Sequence, residues 1–278
     1  MNVFTTRSSA DQPADTGAYD YGTIELSGEG PVRHLRLNRP HRHNAQTTQM
    51  WRELTDVGRM LSDDDTVRAV IVYGSGRSFS SGIDLEEVTT ADGFIRRMAA
   101  LPEGDPDPIT AHIVEVQRAF AWIRTAPFIV IAAVHGHAIG IGFELALACD
   151  IRVVADTARM ALREIDYGLI PDAGGTAWLR DIVGRERALH LILTAQELSG
   201  RRAVEWGLAL QSLPEADLIG AAEKYADHLA GLPRAAVAHT KRAVHEQNEA
   251  ASIRLAAEGQ AACIRVAIAE GAASTPAS

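Results

Sequence analysis

The sequence predicts an α/β domain in which largely parallel strands alternate with helices. Three apolar stretches, VRAVIVYG (67–74), FIVIAAV (128–134) and IRVVA (151–155), have the length and β-branched content of buried strands. Helix-like segments lie between these stretches, as in β-α-β units. After Gly175 the pattern is almost entirely helical, which indicates a helical region that follows the α/β core.

The remaining elements follow from local patterns. TIEL and VRHLRL alternate around a Ser-Gly-Glu-Gly turn and predict a β-hairpin. Apolar residues at helical spacing predict a helix over 47–61, and the Pro/Asp-rich segment 101–108 separates two further helices. The other predicted elements are a short strand over 159–163 and helices over 110–125, 175–183, 186–194, 199–206, 215–230, 234–247 and 250–270.

Length and composition indicate one large domain with a smaller C-terminal part. The chain has 278 residues, of which 46% are hydrophobic, enough for a full core. Residues 1–18, rich in Ser, Asp, Thr and Pro, predict a disordered N-terminal extension. We therefore expect an α/β core with the active site over 19–198 and a helical oligomerisation region over 199–278.

Charge and cysteine content exclude several classes of protein. A net charge of −9 provides no long-range attraction for nucleic acid or an anionic membrane surface. The two cysteines, Cys149 and Cys263, cannot form a disulfide framework and fit a reducing compartment. No apolar run reaches the length of a membrane span. We therefore expect a soluble cytoplasmic protein with neither a nucleic-acid nor a membrane partner.

Two glutamates beside glycine-containing turns are the leading catalytic candidates. Glu144 lies in GHAIGIGFELALACD (136–150), and Glu164 lies in LREIDYGLIPDAGGT (162–176). Adding or removing water across a double bond needs a base and an acid, and two carboxyl groups in different environments can supply both. The alternative is that both are solvated surface residues, because Glu is rarely buried. The glutamates can meet if the strand 151–155 returns alongside the Glu144 helix.

The glycine turn before Glu144 favours an anion site. Gly136, Gly140 and Gly142 allow the backbone to bend sharply and to approach a ligand. The helix that follows exposes unpaired N–H groups, which suit an oxyanion such as the enolate of a thioester. A dinucleotide-binding fingerprint is excluded because the third glycine is missing. A tight turn without any ligand stays open as the alternative.

The loop GRSFSSGIDL (76–85) follows a buried strand, where open α/β sheets tend to bind ligands. A nucleophilic Ser80 or Ser81 is disfavoured, because no G-x-S-x-G motif surrounds either residue. Asp84 is a candidate cap of a helix or turn.

Two H-x-H pairs, His41/His43 and His135/His137, have a spacing that can hold a metal ion on a strand. No Cys or carboxylate set lies beside them at ligand spacing, so we expect no metal site. His137 lies in the glycine turn, where a structural role is the alternative to lining a pocket.

Taken together, these segments resemble the crotonase superfamily, the enoyl-CoA hydratase/isomerase family, over about residues 21–265. LNRPHRHNA (37–45) is similar to the family's early segment beside the coenzyme A nucleotide. SFSSGIDL (78–85) is similar to its Phe-x-x-Gly-x-Asp loop. The two glutamate blocks resemble its most diagnostic segments.

The resemblance implies a spiral of β-β-α units, a helical C-terminal trimerisation region, and a homotrimer or dimer of trimers. It implies an oxyanion hole made of the backbone N–H groups of Ile83 and Ile141, with Glu144 and Glu164 as the catalytic glutamates. The substrate would be an acyl-CoA thioester, so coenzyme A enters as part of the substrate, and no separate cofactor or metal is needed. The residues implied along coenzyme A are His41, Arg42, His43, Ser81, Ile83 and Asp84.

The activity implied is enoyl-CoA hydratase, the reversible addition of water across the 2,3 double bond of a 2-enoyl-CoA. Glu164 would move the proton at the α carbon, and Glu144 would activate the water. The alternative is an enoyl-CoA delta-isomerase that uses Asp172 or Glu164. A third possibility is a homologue that binds acyl-CoA without turning it over.

Three positions depart from the family pattern. Ile141 stands where many hydratases carry glycine, which implies a changed acyl pocket rather than an inactive site. Asp172 lies in the Pro-Asp-Ala-Gly-Gly turn, where an acid performs proton transfer in some isomerases of the family and only caps the next helix in many other members. The tail EGAASTPAS (270–278) lacks the aromatic and lysine residues that often close over the adenine.

Overall fold

The structure is a computed structural model that describes residues 19–90, 93–104 and 107–269, without the side chains of residues 94 and 95. The N-terminal extension predicted over 1–18 and the tail at 270–278 lie outside these residues.

A seven-stranded sheet carries the core, in the strand order β1-β2-β3-β4-β5-β7-β10. The first three strands pair antiparallel, and all pairs from β3 to β10 are parallel. Its strands are β1 (Tyr19–Asp20), β2 (Ile24–Ser27), β3 (Val32–Leu37), β4 (Ala69–Gly74), β5 (Ile129–Val134), β7 (Ile151–Ala155) and β10 (Gln211–Leu213). The predicted hairpin is confirmed as β2 and β3, and the three predicted buried strands as β4, β5 and β7.

The central strands are buried because helices cover the sheet. Val70, Ile71, Val130 and Ile131 are completely buried, as expected of parallel strands covered on both faces. This is why their sequences read as continuous apolar runs rather than as alternating ones.

A smaller sheet lies at the ends of the central strands. It consists of β6 (His137–Ile139), β8 (Arg159–Ala161) and β9 (Leu198–Ser199), with β6 and β8 parallel. Ser80, in the loop after β4, also pairs with Ala138 of β6. The segments that follow β4, β5 and β7 therefore lie side by side, and each is followed by a helix or helical turn.

Eleven α-helices occur among the described residues, and most match the predicted ranges to within a few residues. They are α1 (Thr48–Asp63), α2 (Leu85–Thr89), α3 (Phe94–Ala99), α4 (Pro108–Thr125), α5 (Ile141–Ala148), α6 (Gly175–Val183), α7 (Arg185–Thr194), α8 (Gly200–Glu205), α9 (Leu218–Ala230), α10 (Arg234–His245) and α11 (Glu249–Ala269). Short 3-10 helices cover Pro40–Arg42, Glu164–Tyr167 and Glu215–Asp217.

The C-terminal third is almost entirely helical, as predicted, but it also contains two short strands that were not predicted. β9 joins the small sheet, and β10 extends the main sheet by pairing Gln211 with Val153. Each strand has at most three residues, too few to show an alternating apolar pattern. The main sheet therefore takes its last strand from the region predicted to serve oligomerisation, and the boundary at residue 199 stays a prediction.

A buried Lys241–Asp150 ion pair attaches α10 to the core. Lys241 Nζ lies 2.8 Å from Asp150 Oδ2, and His245 Nε2 lies 2.8 Å from Asp150 Oδ1. Lys241 also donates hydrogen bonds to the carbonyl oxygens of Ile123 (2.6 Å) and Phe128 (2.8 Å). These contacts satisfy a lysine that is only 5% exposed.

Among the described helices, none is long and apolar enough to cross a membrane.

Candidate active site

Glu144 is buried at the beginning of α5, immediately after the glycine turn. It is 1% exposed. Its carboxylate accepts hydrogen bonds from the backbone N–H groups of Ala173 (3.2 Å) and Gly175 (2.8 Å). A Cβ atom at Gly175 would lie 2.5 Å from Glu144 Oε1, so a glycine is needed for this close approach. The hydrogen bonds hold the carboxylate in a fixed orientation.

Glu164 reaches the same turn through the pairing of β6 with β8. Gly140 N–H donates to the carbonyl oxygen of Ala161 (2.8 Å), so the ends of the two strands lie together. Glu164 follows three positions later, and its Oε1 lies 2.9 Å from where a Cβ on Gly140 would be. Its Oε2 is buried without a hydrogen-bond partner among the described residues. The predicted return of the chain toward the Glu144 helix is confirmed.

The environment of the two glutamates favours their protonated forms. Burial raises the pKa of Glu144 to about 8, and the negative charges of Glu164 and Asp172 add to the rise despite hydrogen bonds from Gly175 and Ala173. Burial also raises the pKa of Glu164, with a further contribution from the charge of Asp172. A carboxyl group with a pKa near neutrality can both donate and accept protons, as general acid–base catalysis requires.

Asp172 is a third carboxyl group in this cluster. The residue as a whole is exposed, whereas the surroundings of its carboxyl group exclude enough water to raise its pKa. Gln117 of α4 donates a hydrogen bond to the Asp172 carbonyl oxygen (2.6 Å), which holds the turn in place. We call Glu144, Glu164 and Asp172 the acid cluster.

The two backbone N–H groups predicted for the oxyanion hole lie in two segments that meet near the glycine turn, since a Cβ on Gly82 would lie 2.9 Å from the Ile139 carbonyl oxygen. The backbone of Gln46 binds the residues on either side of Ile83. The Gln46 N–H donates to the Gly82 carbonyl oxygen (2.7 Å), and the Gln46 carbonyl oxygen accepts from the Asp84 N–H (2.8 Å). In an extended chain the N–H of Ile83 then points away from Gln46. Ile141 is the first residue of α5, so its N–H has no partner within the helix.

The residues predicted along coenzyme A come together at the surface. His41, Arg42, His43 and Ser81 are exposed, and Ser81 N–H donates to the His43 carbonyl oxygen (3.0 Å). Arg42 pairs with Glu86 at 2.6 Å. Their role in binding coenzyme A stays a prediction.

Asp84 differs from this group because it is buried. Its carboxylate caps α2 by accepting from Glu86 N–H (3.1 Å) and pairs with Arg39 (2.8 Å). Burial opposes ionisation, but these partners outweigh it and lower the pKa of Asp84. The predicted capping role is confirmed, and a contact with coenzyme A stays a prediction.

Three of the four histidines of the two H-x-H pairs have polar partners. His43 Nδ1 and His137 Nδ1 lie 3.3 and 3.4 Å from the buried hydroxyl of Ser78. His135 Nε2 lies 3.1 Å from the carbonyl oxygen of Gly76. Within the described ranges, no three His, Cys, Asp or Glu side chains come together in an arrangement that could hold a metal ion.

The sequence did not predict the groups that hold the acid cluster in place. The amides of Ala173 and Gly175 bind Glu144, and Gln117 and Gln46 reach the site from other helices and loops. The doublet Gly174-Gly175 was a usable signal, because close approach of another group often requires glycine. No local pattern pointed to the glutamines.

Comparison with known proteins places the chain in one family. The family model described as enoyl-CoA hydratase/isomerase matches residues 28–263. The mitochondrial Delta(3,5)-Delta(2,4)-dienoyl-CoA isomerase of Rattus norvegicus is 34% identical, over 74% of this chain and 63% of that protein. The chain thus matches less than two thirds of the length of the rat enzyme. A Mycobacterium tuberculosis protein named probable enoyl-CoA hydratase is 33% identical, over 82% of this chain and 83% of its own length.

Solved structures agree with this placement. A Thermobifida fusca YX protein assigned as an enoyl-CoA hydratase, in complex with acetoacetyl-CoA, has a TM-score of 0.78 and 36% identity. The match covers 88% of this chain and 96% of that one. The α/β architecture with its helical C-terminal region is thus the crotonase fold. The chain belongs to the enoyl-CoA hydratase/isomerase family.

Proposed function

We propose that the protein is an isomerase that moves the double bond of unsaturated acyl-CoA thioesters. The observation that carries this proposal is the geometry of the acid cluster. Glu164 reaches the glycine turn before Glu144, and Asp172 directly precedes Ala173, whose N–H binds the Glu144 carboxylate. Burial raises the pKa of all three carboxyl groups, which is consistent with this arrangement. Hydration needs two acid–base groups that act on one water molecule. A proton shift along an acyl chain uses groups at two separate carbons, and Asp172 supplies the additional one.

The reaction is a balanced transfer of one proton. A base removes a proton from C2, beside the thioester, and the electron pair delocalises through the double bond onto the thioester oxygen. An acid then gives a proton to C4 of a 3-enoyl chain, or to C6 of a 3,5-dienoyl chain, and the new double bond is conjugated with the thioester. We assign Glu164 to C2 and Asp172 to the far carbon. After product release, Glu164 passes its proton to solvent by way of Glu144, which two backbone N–H groups hold in place. The exposed Asp172 takes up a proton from solvent, so both groups return to their starting protonation states.

The oxyanion formed in this step needs hydrogen-bond donors. We assign them to the N–H groups of Ile83 and Ile141, one in the loop after β4 and the other at the positive end of α5. Loss of one such donor typically costs about 2.7–4 kcal/mol of barrier, so this hole is expected to be the largest electrostatic contribution.

Hydratase activity is the second candidate. The fixed orientation of the Glu144 carboxylate near Glu164 favours it, because two glutamates could hold one water over a 2,3 double bond. The mycobacterial relative is named as a hydratase, whereas the rat relative is named as an isomerase. In a hydratase, the raised pKa of Asp172 would have no catalytic use.

A product assay separates the candidates. Purified protein would be incubated with 2-enoyl-, 3-enoyl- and 3,5-dienoyl-CoA thioesters of several chain lengths, and products would be identified by mass spectrometry and ultraviolet absorbance. Isomerisation leaves the mass unchanged and creates conjugation, whereas hydration adds one water. Hydrated products alone would contradict the first proposal. Binding of the thioesters without any turnover would leave a non-catalytic acyl-CoA-binding protein.

We also propose that the protein assembles as a homotrimer or a dimer of trimers. Helix α11 supports this, because four large apolar side chains on it are at least 42% exposed. These are Ile253, Ile264, Val266 and Ile268. Light scattering after size-exclusion chromatography tests the assembly, and a monomer at micromolar concentration would contradict it. The cytoplasmic location stays a prediction.

A further inference from the structure

The buried side chain of Gln46 lies between the two segments that carry the proposed oxyanion donors. Gln46 is completely buried, although it has one acceptor and two donors in its amide group. A buried amide is costly unless its atoms are hydrogen-bonded, so its partners indicate what it holds in place. The two side-chain partners of Gln46 are Trp51 and Ile141.

The orientation of the amide follows from its partner in α1. Trp51 Nε1 lies 2.9 Å from Gln46 Oε1. An indole N–H can only donate, so the oxygen of the amide must face Trp51. The NH₂ group therefore faces the other way, and its Nε2 donates to the carbonyl oxygen of Ile141 at 3.4 Å.

The backbone of the same residue fixes the second segment. Gln46 N–H and C=O bond to Gly82 and Asp84, so they hold Ile83 with its N–H directed away from Gln46. One residue thus contacts the loop after β4 through its backbone and the first residue of α5 through its side chain.

We infer that Gln46 is a positioning residue that sets the Ile83 and Ile141 N–H groups relative to each other. The inference rests on the proposed function, because it assumes that these donors hold the thioester oxygen. Gln46 touches neither substrate nor reacting atoms in this account. Its effect is geometric, since a displacement of about 1 Å in a catalytic group can cost about 10²-fold in rate.

Packing alone offers a competing explanation. Ser80 already touches the first turn of α5, where a Cβ on Gly142 would lie 2.7 Å from the Ser80 side chain. If that contact sets the distance between the segments, the Gln46 amide only satisfies Trp51. A test must therefore measure the state of the thioester carbonyl, and not stability alone.

The experiment compares the wild type with Gln46→Leu, which keeps most of the volume and removes the amide. Gln49→Leu is the matched control, because Gln49 lies on the exposed side of the same region and bonds to Glu53. The infrared stretching frequency of a ¹³C-labelled carbonyl in a bound saturated acyl-CoA reports how strongly the oxyanion donors polarise it. Turnover is measured with the best unsaturated thioester of the product assay.

We expect Gln46→Leu to lose much of the carbonyl shift and to lower kcat about 10-fold or more, with KM changed less than about threefold. Gln49→Leu should match the wild type in both measurements. A folded Gln46→Leu protein with the wild-type carbonyl frequency and kcat would overturn the inference.

Two further arms keep the test decisive. If Gln46→Leu does not fold, Trp51→Phe is used instead, because it removes the indole donor and keeps an aromatic ring. We expect it to reduce the carbonyl shift and kcat in the same direction but by less. Unchanged carbonyl frequency and kcat in that variant would also overturn the inference. If the wild type neither isomerises nor hydrates any thioester, the proposed function fails. The carbonyl shift still tests Gln46 in that case, because it requires only binding of the thioester.

Discussion

The carboxyl groups of Glu144 and Glu164 lie close enough for the charge of Glu164 to raise the pKa of Glu144. The second half of α5 and the strands β7 and β8 separate the two residues in the chain. They meet because β8 returns parallel to β6 and ends beside Gly140. The glycine at that point leaves the space that the Glu164 carboxylate fills.

Removing either carboxylate should reduce turnover strongly. Glu144→Gln and Glu164→Gln keep the side-chain volume but cannot exchange protons, so we expect kcat to fall about 10²–10⁴-fold. Steady-state kinetics with the preferred thioester measures the effect. Glu197→Gln is the control, because Glu197 forms a surface ion pair with Arg159 and should leave kcat unchanged. Near-normal turnover in either variant would remove that glutamate from the mechanism.

The raised pKa of Glu144 should make folding stability depend on pH. Between its ordinary pKa of 4.5 and about 8, the folded protein keeps a proton that the unfolded chain releases. The free energy of unfolding should therefore fall as pH rises through this window, by at most about 1.4 kcal/mol per pH unit. Denaturant titrations of the wild type and Glu144→Gln isolate this contribution. A difference between them that stays constant from pH 4.5 to 8 would contradict the assignment.

A side chain at Gly140 should disturb Glu164. Gly140 has a φ of +52°, and the Cβ of Gly140→Ala would lie 2.9 Å from Glu164 Oε1. Gly30→Ala is the matched control, because Gly30 has a φ of +72° but no atom of the described residues lies within 4 Å of a new Cβ. We expect backbone strain to destabilise both variants, by about 1–3 kcal/mol each, and Gly140→Ala more because the ψ of −127° at Gly140 lies outside the left-handed helical region. Only Gly140→Ala should lose turnover, by about 10-fold or more. Equal kinetics in the two variants would show that this contact has no catalytic consequence.

The Lys241–Asp150 pair should contribute strongly to stability. Lys241→Met leaves the Asp150 charge buried, with His245 and the Val130 N–H as its remaining partners. Breaking a buried ion pair by removing one partner typically costs about 3–5 kcal/mol. Lys224→Met is the control, because Lys224 is exposed and should change stability little. Equilibrium unfolding measures both, and similar stabilities in the two variants would contradict the anchoring role of Lys241.

The sequence predicted the elements whose residues carry a strong local pattern. The strands β4, β5 and β7 and the helix containing Glu144 are apolar because they are buried, so their sequences reveal them. The contact between Glu144 and Glu164 was predicted only as a possibility, because it depends on the pairing of β6 with β8. Strands of three residues give no sequence signal of their partners.

Other features of the site depend on single long-range contacts. Gln46 and Gln117 read in the sequence as ordinary polar residues of a loop and a helix. Their importance follows from tertiary contacts to Ile141 and Asp172, which no spacing rule predicts. Strand β10 was missed for a similar reason, since its position is set by pairing with β7 rather than by its own residues.

The most direct test of the central claim is to measure the isomerisation rate of Asp172→Asn and the carbon to which it transfers a proton. Asp166→Asn serves as the control, because Asp166 pairs with Arg163 at the surface of the same segment. Both variants and the wild type would be given 3-enoyl- and 3,5-dienoyl-CoA in deuterated water, with deuterium located in the product by mass spectrometry. We predict that Asp172→Asn loses about 10²–10⁴-fold in isomerisation and in deuterium transfer to the far carbon, whereas Asp166→Asn matches the wild type. Isomerisation at the wild-type rate in Asp172→Asn would contradict the account.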